Sequence, residues 1–119
     1  TEALLRGIGC NWLVCLAVFA AAASTETIGK IAALWFPTMA FVALGMEHCI
    51  ANMFFIPLGI LTGTDPRYIA LAEAGKAAAL KADFYSFVAG NLVPVTIGNI
   101  IGGSVLVGML YLAANIKKA

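Results

Sequence analysis

The sequence predicts an all-α integral membrane protein in which one membrane span is broken. Of its 119 residues, 62% are hydrophobic and only 11% are charged, and the mean hydropathy is +0.98. Soluble domains carry about 25% charged residues, so this composition argues against water as the surrounding solvent. The charged residues leave four charge-free stretches, at residues 7–25, 31–46, 49–64 and 84–116. We therefore expect a single transmembrane region over residues 1–119.

The first and last charge-free stretches are each long enough to cross a bilayer core of ~30 Å, which takes about 20 apolar residues. We expect these spans over residues 5–23 and 87–112. The last span contains Gly98 and Gly102, and small residues at this spacing let two helices approach closely in lipid. We interpret this pair as a packing feature rather than as a functional site.

The middle of the sequence predicts the broken span. Residues 31–64 form a run of 34 residues that is interrupted only by the polar pair Glu47 and His48. A straight helix of this length would measure about 51 Å, which exceeds one bilayer core, and no polar turn allows two full crossings. We predict a discontinuous span over about residues 27–61, with irregular backbone at residues 41–46 and a second half-helix that begins near Glu47. Such backbone survives at membrane depth only where protein buries it or it lines a cavity.

The composition also disfavours several classes of protein. A net charge of +1 and a single histidine provide no basic patch, so we expect no nucleic-acid partner. The three cysteines form no CxxC pair, and we interpret them as small packing residues in helices. The sequence shows no nucleophile–base constellation and no metal-ligand cluster, so we expect neither an enzyme nor a metal or cofactor.

Glu47 and His48 are the strongest functional candidates, because ionisable residues inside a membrane span are costly and mark functional sites. His48 and Asn52 are four residues apart, which predicts that they share one face of the second half-helix. Glu47 is rotated by about 100° from that face, so we expect its carboxylate to accept backbone N–H groups of the broken stretch or of the helix start. Asn11 lies inside the first span, where packing and pore lining are both open interpretations.

Two other interpretations of His48 stay open at this point. The first is a purely structural histidine that is hydrogen-bonded in the core. The second is an axial ligand of haem, as in membrane anchor subunits. Because the chain has a single histidine, a second axial ligand would be a methionine or would come from another chain. A haem anchor or a scaffold subunit is therefore the alternative to a transport function.

Three motifs in order resemble those of the formate/nitrite transporter family. They are CNWLVCLA at residues 10–17, EHCIANM at residues 47–53 and NLVPVTIGN at residues 91–99. The chain is similar to the carboxy-terminal half of such a protein, spans four to six of six. The resemblance implies an aquaporin-like helical bundle of two inverted repeats, of which this chain is one, and a homopentamer with one pore per protomer. It also implies that an amino-terminal half, absent from this chain, forms the opposing pore wall.

The resemblance also assigns roles to individual residues. It implies that four polar residues line or approach the pore: His48, Asn52, Glu47 and Asn11. It implies that the broken span forms a constriction around Phe41, Leu44, Gly45 and Met46. Leu44 and Met46 differ from the residues common in the family at these positions, so the resemblance leaves the constriction width and the selectivity open.

The function implied by the resemblance is passage of a small monovalent anion. Formate is the first expectation, because the segment FFIPLGI at residues 54–60 is similar to that of formate members. Nitrite and hydrosulfide are the alternatives. We expect His48 to hydrogen-bond the anion and to transfer a proton to it, so that it crosses the apolar constriction as a neutral acid. The implied location is the inner (plasma) membrane, with the carboxy terminus in the cytoplasm.

Overall fold

The computed structural model describes residues 1–74 and 83–116. No strand occurs among these residues, so the expected all-α class is confirmed. The helices are α1 (Glu2–Ala23), α2 (Thr27–Ala43), α3 (Cys49–Thr62), α4 (Pro66–Ala74) and the continuous helix α5 (Ser86–Ile116). In α5, Ser86–Leu92 and Ile101–Met109 have the wider turns of a π-helix.

Helices α1 and α5 are the two described helices that are long and apolar enough to cross a membrane, at 22 and 31 residues. Helices α2 and α3 are shorter, at 17 and 14 residues. At ~1.5 Å per residue they measure about 26 and 21 Å, less than the ~30 Å bilayer core. Neither short helix therefore crosses a bilayer core alone, and the pair follows the pattern of two half-helices.

Helix α1 lies at the centre of the arrangement and packs against both α2 and α5. Glycines of α5 lie at the contact with α1, and they have no side chain to separate the two backbones. A Cβ atom at Gly98 would collide with the carbonyl oxygen of Leu4, and one at Gly102 with that of Ile8. This contact confirms the interpretation of the two glycines as a packing feature, because only a missing side chain allows backbones to approach so closely.

Helix α2 ends in a Schellman motif, the common glycine-terminated end of an α-helix. Gly45 has a φ angle of +63°. The Gly45 N–H donates to the Val42 carbonyl at 3.1 Å, and the Met46 N–H donates to the Phe41 carbonyl at 3.0 Å. Glycine is favoured here because it adopts a positive φ angle without a steric penalty. The chain thus leaves the helix with its last carbonyl groups already hydrogen-bonded.

The break itself is displaced from the predicted position. Helix α2 continues to Ala43, and helix α3 begins at Cys49 rather than near Glu47. His48 has extended backbone angles of φ −113° and ψ 117°. The helix begins later than predicted because the backbone groups at the end of the irregular stretch bond to α1 and α5 instead of to a helical turn.

Large apolar side chains are exposed on the outer faces of α2 and α3. Trp35 and Phe36 are each 64% exposed, and Phe54 and Phe55 are 62% and 66% exposed. Continuous apolar surface of this kind occurs where lipid or another protein surface covers it. The described part of the chain therefore has a packed centre along α1 but no closed bundle around it.

The contact between α1 and α5 leads to a first prediction. Replacement of Gly102 by alanine forces the two helices apart, and we expect a loss of about 1–3 kcal/mol in stability, as for other overpacked contacts. Gly90 lies in the same helix α5 and has open space around its Cα, so Gly90→Ala is the matched control. The measurement is the thermal unfolding of the detergent-solubilised protein. Equal midpoints for the two variants would contradict the packing role of Gly102.

Candidate functional site

The side chain of Asn99 connects three elements of the fold. Its Nδ2 group donates to the carbonyl of Gly7 at 2.9 Å and to that of Glu47 at 3.0 Å. Its Oδ1 atom accepts the N–H of Cys49 at 3.0 Å. Asn99 is only 4% exposed. One buried amide of α5 thereby holds α1, the end of the irregular stretch and the first residue of α3.

The carboxylate of Glu47 is held by side-chain amides. Its Oε2 atom accepts from Nδ2 of Asn52 at 2.6 Å and from Nδ2 of Asn91 at 3.3 Å. The two asparagines also bond to each other, from Nδ2 of Asn52 to Oδ1 of Asn91 at 2.7 Å. We refer to Glu47, Asn52 and Asn91 as the carboxylate–amide cluster.

The expectation that Glu47 accepts backbone N–H groups is therefore wrong for the described contacts. The first N–H groups of α3 already have acceptors, since the Cys49 N–H bonds to Asn99 and the Ile50 N–H bonds to His48. The carboxylate turns instead towards α5, where Asn91 supplies a donor. Charge-assisted bonds of this type are stronger than neutral ones, so the cluster is a firm connection between α3 and α5.

His48 is the N-cap residue of α3. Its Nδ1 atom accepts the N–H of Ile50 at 3.2 Å. An imidazole nitrogen that accepts a hydrogen bond carries no proton, so this contact assigns the proton of the neutral ring to Nε2. The Phe41 ring lies beside the imidazole, with 6.0 Å between the ring centroids. The described contacts therefore leave His48 with one N–H donor and an aromatic neighbour.

The prediction that His48 and Asn52 share one face of the second half-helix stays a prediction, and the structure gives their side chains different hydrogen-bond partners. His48 precedes the helix, and the Asn52 N–H donates to the His48 carbonyl at 2.9 Å. The amide side chain of Asn52 bonds to the other two members of the carboxylate–amide cluster rather than to the imidazole. The His48 side chain caps the helix, whereas the Asn52 side chain bonds to Glu47 and Asn91, so the two side chains belong to different hydrogen-bonded groups.

Asn11 lies on α1 and contacts α5. Its Nδ2 group donates to the backbone carbonyl of Asn99 at 2.7 Å. The absence of a side chain at Gly103 makes room for it, since a Cβ atom there would lie 2.7 Å from Nδ2 of Asn11. This contact joins α1 to α5. Asn11 therefore supports the site indirectly, because it holds the backbone of Asn99, whose side chain bonds to the break.

The four residues expected at the constriction occupy different environments. Phe41 lies beside His48, whereas Leu44 is 66% exposed and Gly45 forms the Schellman motif. Met46 points towards α1, where a Cβ atom at Gly9 would lie 3.1 Å from its Cε atom. The structure thus brings one of these residues, Phe41, next to the candidate histidine.

A polar pocket of about 440 Å³ opens next to the break. It is lined by Glu2, Arg6, Glu47 and Gly90, together with the first residues of α1. Arg6 donates from Nη1 to the carbonyl of Gly45 at 3.0 Å and pairs through Nη2 with Glu2 at 2.6 Å. Within residues 1–74 and 83–116 no group of three or more His, Cys, Asp or Glu side chains is arranged to hold a metal ion.

Sequence reasoning missed three residues that organise this site. Asn91 and Asn99 were part of a recognised motif, yet they were not among the candidate site residues. Their signal was a polar amide within an apolar span, where such a group needs a partner. Arg6 carried a weaker signal, because a charged residue at the edge of a span is ordinary.

Comparison with known protein families gives the class to which this chain belongs. Residues 1–113 match the model of the family described as "Formate/nitrite transporter". The match covers most of the chain, so the chain belongs to the formate/nitrite transporter family. The family is one of transporters rather than enzymes, in agreement with the sequence analysis.

Individual relatives support this assignment. The chain is 46% identical over 117 residues to the "Probable formate transporter" of Methanothermobacter thermautotrophicus, covering 98% of this chain and 36% of the relative. It is 39% identical over 110 residues to "Formate channel FocA" of Haemophilus influenzae, covering 91% and 39%. A solved structure, "Pentameric formate channel with formate bound", matches with a TM-score of 0.81 and 38% identity, covering 96% of this chain and 46% of that chain. The chain thus spans less than half the length of these relatives.

The central position of Asn99 leads to a second prediction. Replacement by alanine leaves the Cys49 N–H and the carbonyls of Gly7 and Glu47 without this partner, and we expect a loss of about 2–4 kcal/mol in stability. The same change at Asn115, whose Nδ2 bonds to the Tyr111 carbonyl on the exposed part of α5, is the matched control. Thermal unfolding measures the loss, and hydrogen exchange at the Cys49 amide locates it. Slow exchange at this amide in Asn99→Ala would contradict the assigned role.

Proposed function

We propose that the complete protein is a membrane channel or transporter for small monovalent anions, with formate as the first candidate and nitrite or hydrosulfide as alternatives. The observation that carries the proposal is the hydrogen-bonded arrangement of His48. Because Nδ1 accepts from Ile50, the neutral imidazole keeps its Nε2–H as a donor at the break between two short apolar helices. The formate channels among the relatives support the choice of formate.

The Nε2–H of His48 is a hydrogen-bond donor that an anion needs where it loses its hydration. A small anion that enters an apolar constriction loses hydration, and desolvation of a charge without a new partner is costly. The Nε2–H of His48 supplies one charge-assisted hydrogen bond to the anion. The N–H groups of Cys49 and Ile50 do not take this role, because they are occupied within the protein. The imidazole is therefore the proposed contact for the anion.

Proton transfer to the anion requires a further step. A neutral imidazole that gives its Nε2 proton to the anion must take one from water at Nδ1, and a protonated Nδ1 no longer accepts the Ile50 N–H. Proposed passage of formate as formic acid is therefore coupled to loss of the N-cap bond of α3. Passage of the hydrogen-bonded anion without proton transfer leaves the cap intact. The pH dependence of uptake distinguishes the two routes.

The architecture that we propose for the complete protein follows from the exposed apolar faces. Helices α1 and α5 act as membrane spans, and α2 and α3 together form the broken span of a single transmembrane region. A second, amino-terminal half forms the opposing pore wall, and neighbouring protomers of a homopentamer and lipid cover the remaining apolar surface. We place the protein in the inner (plasma) membrane with its carboxy terminus in the cytoplasm. The pentameric formate channel supports the subunit number.

Uptake of formate by the complete protein in proteoliposomes tests the function and the role of His48. We expect His48→Ala to lower uptake by about tenfold, the factor that corresponds to one charge-assisted hydrogen bond, and to remove its pH dependence. His48→Asn keeps an N-cap oxygen for the Ile50 N–H, so this variant separates capping from imidazole chemistry. Unchanged rates and pH dependence in both variants would eliminate the proposed role of His48. Absence of formate, nitrite and hydrosulfide uptake by the wild type, together with a Soret band from bound haem, would favour a haem anchor instead.

The contacts of Glu47 lead to a separate prediction. We propose that its carboxylate has a structural role rather than a role in proton transfer. Glu47→Gln keeps an oxygen that accepts from Asn52 and Asn91, so we expect most formate uptake to remain, whereas Glu47→Leu removes the acceptor and is expected to reduce it strongly. The measurement is uptake normalised to reconstituted protein. Equal loss in the two variants would show that the charge or the proton of Glu47 is required.

A further inference from the structure

Arg6 contacts both ends of the stretch that leads from α2 to His48. Its Nη1 group donates to the carbonyl of Gly45 at 3.0 Å, and its own backbone carbonyl accepts the N–H of Glu47 at 3.4 Å. Gly45 and Glu47 are the neighbours of Met46 in the stretch between α2 and α3. Arg6 is thus hydrogen-bonded to the residues on both sides of Met46, which is expected at the constriction.

A second partner, Glu2, orients the guanidinium group of Arg6 towards Gly45. Glu2, one helical turn earlier on α1, pairs with Nη2 at 2.6 Å, which leaves Nη1 for the carbonyl. The rigid, planar fork of arginine allows both contacts at once. The side chain of Arg6 is 47% exposed, so its position depends on these two partners rather than on burial.

The carbonyl of Gly45 is a point where the backbone needs such a partner. The Schellman motif satisfies the carbonyls of Phe41 and Val42, but not that of Gly45. Glycine also has the widest choice of backbone angles, so this residue is where the stretch would most easily change its path. In the described part of the chain, Arg6 is the side chain that donates to this carbonyl.

We propose that Arg6 is a positioning residue that determines specificity, because it fixes the path of the stretch from Gly45 to Glu47 and thereby the space beside His48. The inference rests on the proposed transport function. Asn99 holds the later end of the stretch independently, through the Glu47 carbonyl and the Cys49 N–H. Loss of Arg6 therefore leaves α3 attached to α5 and loosens only the earlier end. The expected result is a wider passage in a folded protein.

The ratio of acetate uptake to formate uptake tests this proposal in the complete, reconstituted protein. Acetate carries the same charge and one additional methyl group, so a wider passage favours it. We expect Arg6→Gln to raise the ratio about threefold to tenfold, the range that corresponds to one typical intramolecular hydrogen bond. Arg6→Lys keeps the charge but lacks the fork, so we expect an intermediate ratio. A purely structural defect would lower both rates together and leave the ratio unchanged.

The control is Arg67→Gln on α4. Arg67 also pairs with a nearby carboxylate, Asp65, at 2.8 Å, but it lies outside the site. We expect the wild-type ratio for this variant. An unchanged ratio in Arg6→Gln, with formate uptake by the wild type, would overturn the role of Arg6 and leave the proposed function standing.

A second measurement does not depend on the substrate. Met46 lies within the stretch and is half-buried, so a cysteine introduced there by Met46→Cys reports on the stretch through its reaction with a maleimide, in a protein without other cysteines. If the wild type transports no formate, the proposed function fails and this reaction decides the role of Arg6. Faster labelling in Arg6→Gln than in Arg67→Gln supports the proposal. Equal rates overturn it.

Discussion

The described structure depends on the three hydrogen bonds of Asn99. A broken helix leaves polar backbone groups at membrane depth, where each unpaired group costs several kcal/mol. The buried amide of Asn99 bonds to one N–H and two carbonyls. These bonds fix the positions of α1, the break and α3 relative to one another. The position of His48, one residue from two of these bonds, follows from this arrangement.

The Schellman motif and the carboxylate–amide cluster also provide hydrogen-bond partners for polar groups next to the break. At the end of α2 the backbone carbonyls of Phe41 and Val42 are hydrogen-bonded within the motif, and just before α3 the carboxyl group of Glu47 accepts from two asparagine amides. These contacts satisfy polar groups without a tightly packed core. The arrangement explains how a chain with few buried side chains and wide apolar outer faces keeps a defined site.

Much of the fold was predictable because it depends on local sequence. The helical class follows from charge-free stretches, a close helix contact at Gly98 and Gly102 from their spacing, and the existence of a break from the length of residues 31–64. The exact start of α3 and the partners of Glu47 were not predictable. Both depend on Asn91 and Asn99, which are 44 and 52 residues away from Glu47 in sequence. No periodic pattern encodes which buried amide reaches a given carboxylate.

The glycine contact between α1 and α5 has a mechanical consequence. Where two backbones touch without intervening side chains, there are no rotamers to rearrange, and a small shift in register would bring carbonyl oxygens into collision. The two long helices therefore behave as one rigid frame. In the proposed channel, changes in the shape of the passage fall to α3, which joins this frame mainly through hydrogen bonds to α5, whereas α2 packs along α1. In the proposed channel, adjustment of the pore is then a matter of hinges at the break rather than of sliding between α1 and α5.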